Sequence, residues 1–267
     1  MKVLSSALLV AAKEFRDCRR NLWLITGTLL FALLSLGIVF GTAAIGGVFS
    51  FRPMTAVLNS LVSLSVFLIP LIAILISYDA FVGEAEQGTL PLLLTYPISR
   101  TSILLGKLIG HSAALFLCIF LGFSVLLILT AAGVLPYDFS ALLRHLVLLA
   151  LSGWMLGVIS ILLSYLISIL SPFKAFALGI LLVIWLALVI FYDLALLILA
   201  IADDSLTQGA LNFFMVLNPA SAFRLLNQES LGIVTTYIAP AYLGLYLLLC
   251  AVALFLADRI SFGRRSL

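Results

Sequence analysis

Charge is what this sequence has least of. Only 9% of its 267 residues are Asp, Glu, Lys or Arg, against about 25% in an ordinary soluble domain. The balance is 64% apolar, with a mean hydropathy of +1.32. A compact globule of this length cannot hide so much apolar surface from water, so a water-soluble enzyme is excluded. Disorder needs low hydrophobicity and high charge, and is excluded by the same count. Cysteine is scarce too: Cys18, Cys118 and Cys250 are scattered and form no C-x-x-C, which removes a disulfide framework and a zinc site. With two His and four Met there is no ladder of soft ligands for a metal ion. His111 and His145 read as polar residues near an interface rather than ligands. No H-E-x-x-H or G-x-S-x-G is present, so an intramembrane enzyme lacks its constellation. No catalytic residue, metal site, cofactor or nucleic-acid partner is expected.

What is there in abundance is uncharged length. Six runs contain no Asp, Glu, Lys or Arg: Asn21–Phe51, Pro53–Tyr78, Leu108–Tyr137, His145–Phe173, Ala175–Tyr192 and Ser230–Ala257. A helix needs about 20 apolar residues to cross a hydrocarbon core of about 30 Å, and a charge at its centre costs about 2.5–3.5 kcal/mol. The fold class is therefore an all-α integral membrane protein in one domain over residues 1–267. Its spans are expected at about 22–49, 55–78, 107–132, 145–170, 175–200 and 238–257. A seventh uncharged run, Ser205–Phe223, carries Thr207, Gln208, Asn212, Asn218, Pro219 and Ser221, and is read as extramembrane.

Six spans place both termini on one side. Of the 14 basic residues, 11 fall on that side, in the N-terminal segment, at Arg100 and Lys107, at Lys174 and in the tail; only Arg52, Arg144 and Arg224 do not. The positive-inside rule puts both termini in the cytoplasm, and a seventh span would turn the Arg-rich tail outward. The N-terminus has a short apolar stretch ahead of its basic cluster Lys13–Arg20, the reverse of a secretory signal. Leu4, Leu8, Ala11 and Phe15 recur at helical spacing, so residues 1–20 are expected to form an amphipathic interfacial helix. That helix either anchors the chain or meets a cytoplasmic partner.

Two connections are long. In the cytoplasmic loop 79–106, Glu84 and Glu86 precede a short helix, where carboxylates are favoured. Gly88 and Thr89 supply a bend and a cap, Pro91 suits the first turn, and Pro97 ends it. Ser99 or Thr101 then caps the third span. The leucines at 90 and 92–94 are too few to cross a membrane, and must lie against the spans, the leaflet or a partner. Gly83-x-x-x-x-Gly88-Thr89 lacks the lysine of a phosphate-binding loop and follows no strand, so this chain does not hydrolyse ATP. In the outer loop, 202–237, Asn218 at the cap and Pro219 at the first position begin a helix. It either packs on the spans or offers a docking surface. Asp79 and Asp193 lie near the ends of spans, where they set a boundary or serve function. Ser60, Ser63, Ser164 and Ser168 either bond between helices or line a pathway. Gly37-x-x-x-Gly41, Gly106-x-x-x-Gly110 and Gly153-x-x-x-Gly157 permit close helix contact within or between chains.

The cytoplasmic loop resembles that of the ABC-2 type permeases, the membrane subunits of ATP-driven exporters. Glu86, Gly88-Thr89-Leu90, Leu92–Leu94, Pro97, Ser99-Arg100 and Gly106-Lys107 carry the likeness, as does Lys13–Asp17 ahead of the first span. Tyr78–Glu84, Leu92–Pro97, Phe191–Leu194 and Leu217–Pro219 with Arg224-Leu225 are similar to the branch of the family that serves copper-site assembly in nitrous oxide reductase. The resemblance implies a separate ATPase subunit in two copies, a second copy of this chain, and the bacterial inner membrane as the location. It also implies that Glu84, Glu86, Gly88, Thr89, Leu90, Pro97 and Arg100 couple to the ATPase. A periplasmic repeat protein would then meet Asn218, Pro219, Phe223 and Arg224. A general exporter of drug, lipid or polysaccharide is the alternative, and the cargo itself is not legible.

Overall fold

A backbone immersed in hydrocarbon must satisfy its own hydrogen bonds, which favours helices for an apolar chain. The computed structural model describes residues 2–44, 50–202, 208–234 and 238–264, and among them there are helices and turns but no strand. Expectations placed on Ser205, Thr207 and Arg265, and on the side chains of Lys2, Leu4, Gln208 and Asn212, lie outside what is described. Helix α1 (Lys2–Arg20) breaks at Leu22, which holds a left-handed φ of 62°, and α2 (Trp23–Ala44) is the first span. Helix α3 (Met54–Ser77) leads into two short helices, α4 (Val82–Glu86) and α5 (Thr89–Thr95). Two helices of 32 residues follow, α6 (Arg100–Ala131) and α7 (Phe139–Leu170). Helix α8 (Lys174–Leu186) passes through a π-helical turn, Ala187–Phe191, into α9 (Tyr192–Ala202). Then come α10 (Gln208–Leu217), α11 (Pro219–Ser230) and α12 (Pro240–Arg264).

Six of these helical stretches are long and apolar enough to span a membrane: Trp23–Gly41, Met54–Glu86, Arg100–Ala131, Phe139–Leu170, Lys174–Ala202 and Pro240–Arg264. Both described chain ends lie at the same end of the bundle, because α1 packs along the start of α6 and Arg100 at that start reaches the last carbonyls of α12. Three helices extend past an end of their uncharged runs. Helix α6 begins at Arg100 rather than 107, since the Ser99 hydroxyl accepts from the Ser102 N–H at 3.1 Å. Helix α7 begins at Phe139 rather than 145, capped by the Asp138 carboxylate on Ala141 N–H at 2.7 Å. Helix α12 runs past 257 to Arg264, taking Asp258 with it.

Close approach sets the packing. A Cβ at Gly106 would lie 2.6 Å from the Ala7 carbonyl oxygen, and one at Gly110 would lie 2.8 Å from that of Ala11. That pair of glycines is therefore the groove that seats α1 on α6, and Gly153 and Gly157 likewise admit Ile69 and Leu115. Both pairs serve contacts within the chain. Gly37 and Gly41 face open space. Close to Pro70 in α3, the Trp185 indole donates to the Phe67 carbonyl at 3.1 Å and ties α8 to α3.

Candidate functional site

Helix α1 presents Lys13 and Glu14 toward α6, and α6 presents Lys107 and His111 one turn apart. Helix α4 closes the cluster with Glu84. Lys107 donates to Glu14 at 2.7 Å and to Glu84 at 2.8 Å, while Lys13 donates to Glu84 at 2.8 Å and to Glu14 at 3.0 Å. His111 Nε2 stands 3.5 Å from the other Glu14 oxygen, and its Nδ1 is 2.6 Å from the Tyr165 hydroxyl of α7. The Lys107 side chain is only 1% exposed and that of Glu14 8%. Such burial is tolerable because each charge is paired. The Lys107 ammonium also lies 5.5 Å from the Phe81 ring centre.

Electrostatics follow from this geometry. Burial alone would raise the Glu14 carboxyl, but the Lys107 charge, with His111 and Lys13, outweighs it and holds Glu14 down to about 2. Burial would lower Lys13, and the Glu14 and Glu84 charges overcome it and raise it. Burial, followed by the Glu14 charge, pushes the Cys18 thiol up to about 12, so it is neither a ready nucleophile nor a ready metal ligand. A polar cleft of about 250 Å³ opens beside the cluster, between Lys13, Asp17, Asp79, Lys107 and Lys174.

The seven loop residues singled out in the sequence divide into two sets. Glu84 is in the buried network, Leu90 is fully buried, and Arg100 places its guanidinium on the Phe262 and Gly263 carbonyls and over the Phe262 ring at 5.5 Å. Glu86 is exposed, and its carboxylate accepts the Lys174 N–H at 2.8 Å, tying the loop to the start of α8. Gly88, with a left-handed φ of 70°, Thr89 and Pro97 are exposed, beside Leu92 and Tyr96, both 62% exposed. The Thr89 hydroxyl donates to the Glu84 carbonyl at 3.2 Å, so the exposed strip is fastened to the ion network. The network itself was not assembled from the sequence. His111 reads there as an interfacial group, yet it is 4% exposed, and only the one-turn spacing from Lys107 pointed to a pair.

At the opposite end, Asn218 does two jobs. Its carbonyl oxygen accepts the Ala220 N–H at 3.0 Å to cap α11, and its amide donates to Leu188 O in the π turn, where an intrahelical bond is displaced. Asp193 pairs with Arg224 at 2.7 Å and accepts from Ser221 at 3.3 Å. Asn218 and Phe223 are 2% and 0% exposed. Both are therefore used by the chain's own packing, the first of the two readings the sequence left open for this helix. Pro219 and Arg224 are half-buried. Among the serines, Ser60 and Ser63 bond back to their own helix, while Ser168 accepts two N–H groups from Phe81 and Val82.

A family model described as ABC-2 family transporter protein matches residues 8–267. The chain belongs to that family. This permease is 42% identical over 219 residues to an ABC transporter permease protein, NosY, of Pseudomonas aeruginosa, covering 82% of this chain and 80% of that one. It is 39% identical over 219 residues to the NosY permease protein of Stutzerimonas stutzeri, covering 82% and 79%. As an ABC permease it is a non-catalytic, multi-pass subunit of a transporter, and ATP hydrolysis belongs to a partner ATPase subunit.

Proposed function

We propose that α4 and α5 are the lever by which the ATPase subunit drives this permease, and that the ATPase rests on the strip Gln87, Gly88, Thr89, Leu92, Tyr96 and Pro97. One observation carries the reading. The strip is exposed and partly apolar outside the spans, and directly behind it Leu90 is buried while Glu84 is ion-paired to α6 and α1. A push on the surface therefore has a stiff path into the third span. On this reading the termini and the lever are cytoplasmic in the bacterial inner membrane, as the 11 basic residues at that end favour. Two such chains face each other over two ATPases. The likeness to NosY permeases supports a place in copper-site maturation of nitrous oxide reductase, with a periplasmic partner at the α10–α11 end.

The test is co-purification of the detergent-solubilised permease with its native ATPase. Leu92→Asp with Tyr96→Asp should abolish retention of the ATPase while leaving the melting curve of the permease unchanged. Equal ATPase recovery with the double variant sinks the docking assignment. A cysteine at Glu86 should react only with reagents that cross the membrane; labelling of intact cells by an impermeant reagent inverts the orientation.

A further inference from the structure

Asp258 is the residue that ends the sixth uncharged run, yet α12 continues past it and turns its carboxyl into the bundle. It is 0% exposed, and neither carboxyl oxygen has a hydrogen-bond partner among the described residues. A carboxylate deprived of water and donors is strongly unfavourable, and burial without a partner resolves itself by taking up a proton.

Among the described residues no cation is paired with it. Helix α12 packs on α7, α11 and α6. From α7 the titratable neighbour is Tyr165, whose hydroxyl is bonded to His111. One turn from Ser168 on that helix, the Ser164 hydroxyl is likewise buried without a partner. From α6, Lys107 is held by Glu14 and Glu84, and Arg100 by the carbonyls that end α12. Helix α11 begins just after Leu217, whose carbonyl Tyr246 bonds, so it meets α12 about 18 Å away along the helix; its Arg224 is on Asp193. On α12 itself Arg259 is exposed. Because Asp258 is already closed off within one copy, neither a second chain nor the ATPase can supply a counter-charge without a rearrangement.

Such a rearrangement has a place to act. Phe262, one turn along the same face, packs on Phe81 with ring centres 5.0 Å apart and planes tilted by 59°, and lies under Arg100. It is thus the joint between α12 and the segment that leads into α4. We propose that Asp258 is a proton-binding site: the carboxyl is carried as the neutral acid in this conformation, and opening of the Phe81–Phe262 joint wets it and releases the proton to water. This inference rests on the burial of one side chain and is independent of where the ATPase docks.

Infrared spectroscopy of the full chain in lipid nanodiscs reads the protonated-carboxyl stretch directly. At pH 7 wild type should show the band, and Asp258→Asn should lose it while melting at least as high as wild type. Phe262→Ala, which loosens the joint, should weaken the band at the same pH. Absence of the band in wild type overturns the proposal whether or not either variant folds. A band of full strength in folded Phe262→Ala overturns the link to the joint.

Discussion

The two ends of the bundle are fastened by different chemistry. At the end carrying the termini, Lys13, Glu14, Glu84 and Lys107 knit α1, α4 and α6 with charges, two of them almost wholly buried. At the opposite end the links are mostly neutral: Asn218 joins α11 to the π turn, Asn227 donates to Ser152 at 2.9 Å, and Gln228 donates to Asn59 at 2.9 Å. The one ion pair described there, Asp193–Arg224, keeps side chains 28% and 19% exposed. A buried charge network is intolerant of losing one member, because the others are left uncompensated. Neutral bonds fail one at a time. The first end is therefore built to move as a unit, and the second to hold a shape piece by piece.

The sharpest way to break this contrast is Lys107→Met. It leaves Glu84 with only Lys13 and Glu14 with Lys13 and His111, and should cost about 3–5 kcal/mol of stability, measured by denaturant unfolding in mixed micelles. A loss smaller than that from any single change at the opposite end removes the distinction. Acid probes the same network without mutation. Glu14 is held down from its usual 4.5 to about 2, so its contribution is fully present above pH 4.5 and disappears as pH falls toward about 2. About 3 kcal/mol should be lost across that window, and Glu14→Gln should flatten the profile. An unchanged profile in that variant places the acid sensitivity elsewhere.

The contrast also separates what the sequence made legible from what it did not. Spans announce themselves because hydrocarbon excludes charge, so α2, α3 and the cores of α6, α7, α8–α9 and α12 could be placed from uncharged runs alone. Asn218-Pro219 announced α11 because capping chemistry is local. The buried network is different in kind. Lys13 and Glu14 are separated from Glu84 by 70 or 71 positions and from Lys107 by 93 or 94, and nothing in a single sequence pairs them. Charge itself misled at the helix ends: Lys107 and Asp258 looked like boundaries, whereas pairing in one case and burial in the other carry both inside helices. The burial of Phe223 was hidden for a related reason, since an amphipathic pattern does not say which neighbour covers it.

At the opposite end the largest single effect should come from Asn218→Ala. It removes a cap, worth about 1 kcal/mol, and leaves the Leu188 carbonyl without its donor in a part-buried setting, worth about 1–2 kcal/mol more, the lower part of the range for an unsatisfied group. A total of about 2–3 kcal/mol by the same unfolding assay would place it below Lys107→Met. Asn218→Asp keeps the cap oxygen and loses the amide donor, so it should recover only the smaller part. Full recovery would mean that the link to the π turn carries no weight.

Arg224→Met should have the smallest effect, about 1 kcal/mol or less, because a pair with this much exposure is solvated and screened. Salt makes the comparison independent of absolute magnitudes. With a Debye length of about 10 Å at 0.1 M and about 3 Å at 1 M, the Arg224→Met loss should shrink toward zero across that range. The Lys107→Met loss should persist, since ions cannot enter a site where the lysine is 1% exposed. If both losses fade together, the charges at the terminal end are reached by solvent, and the rigid path from α4 into α6 is lost with them.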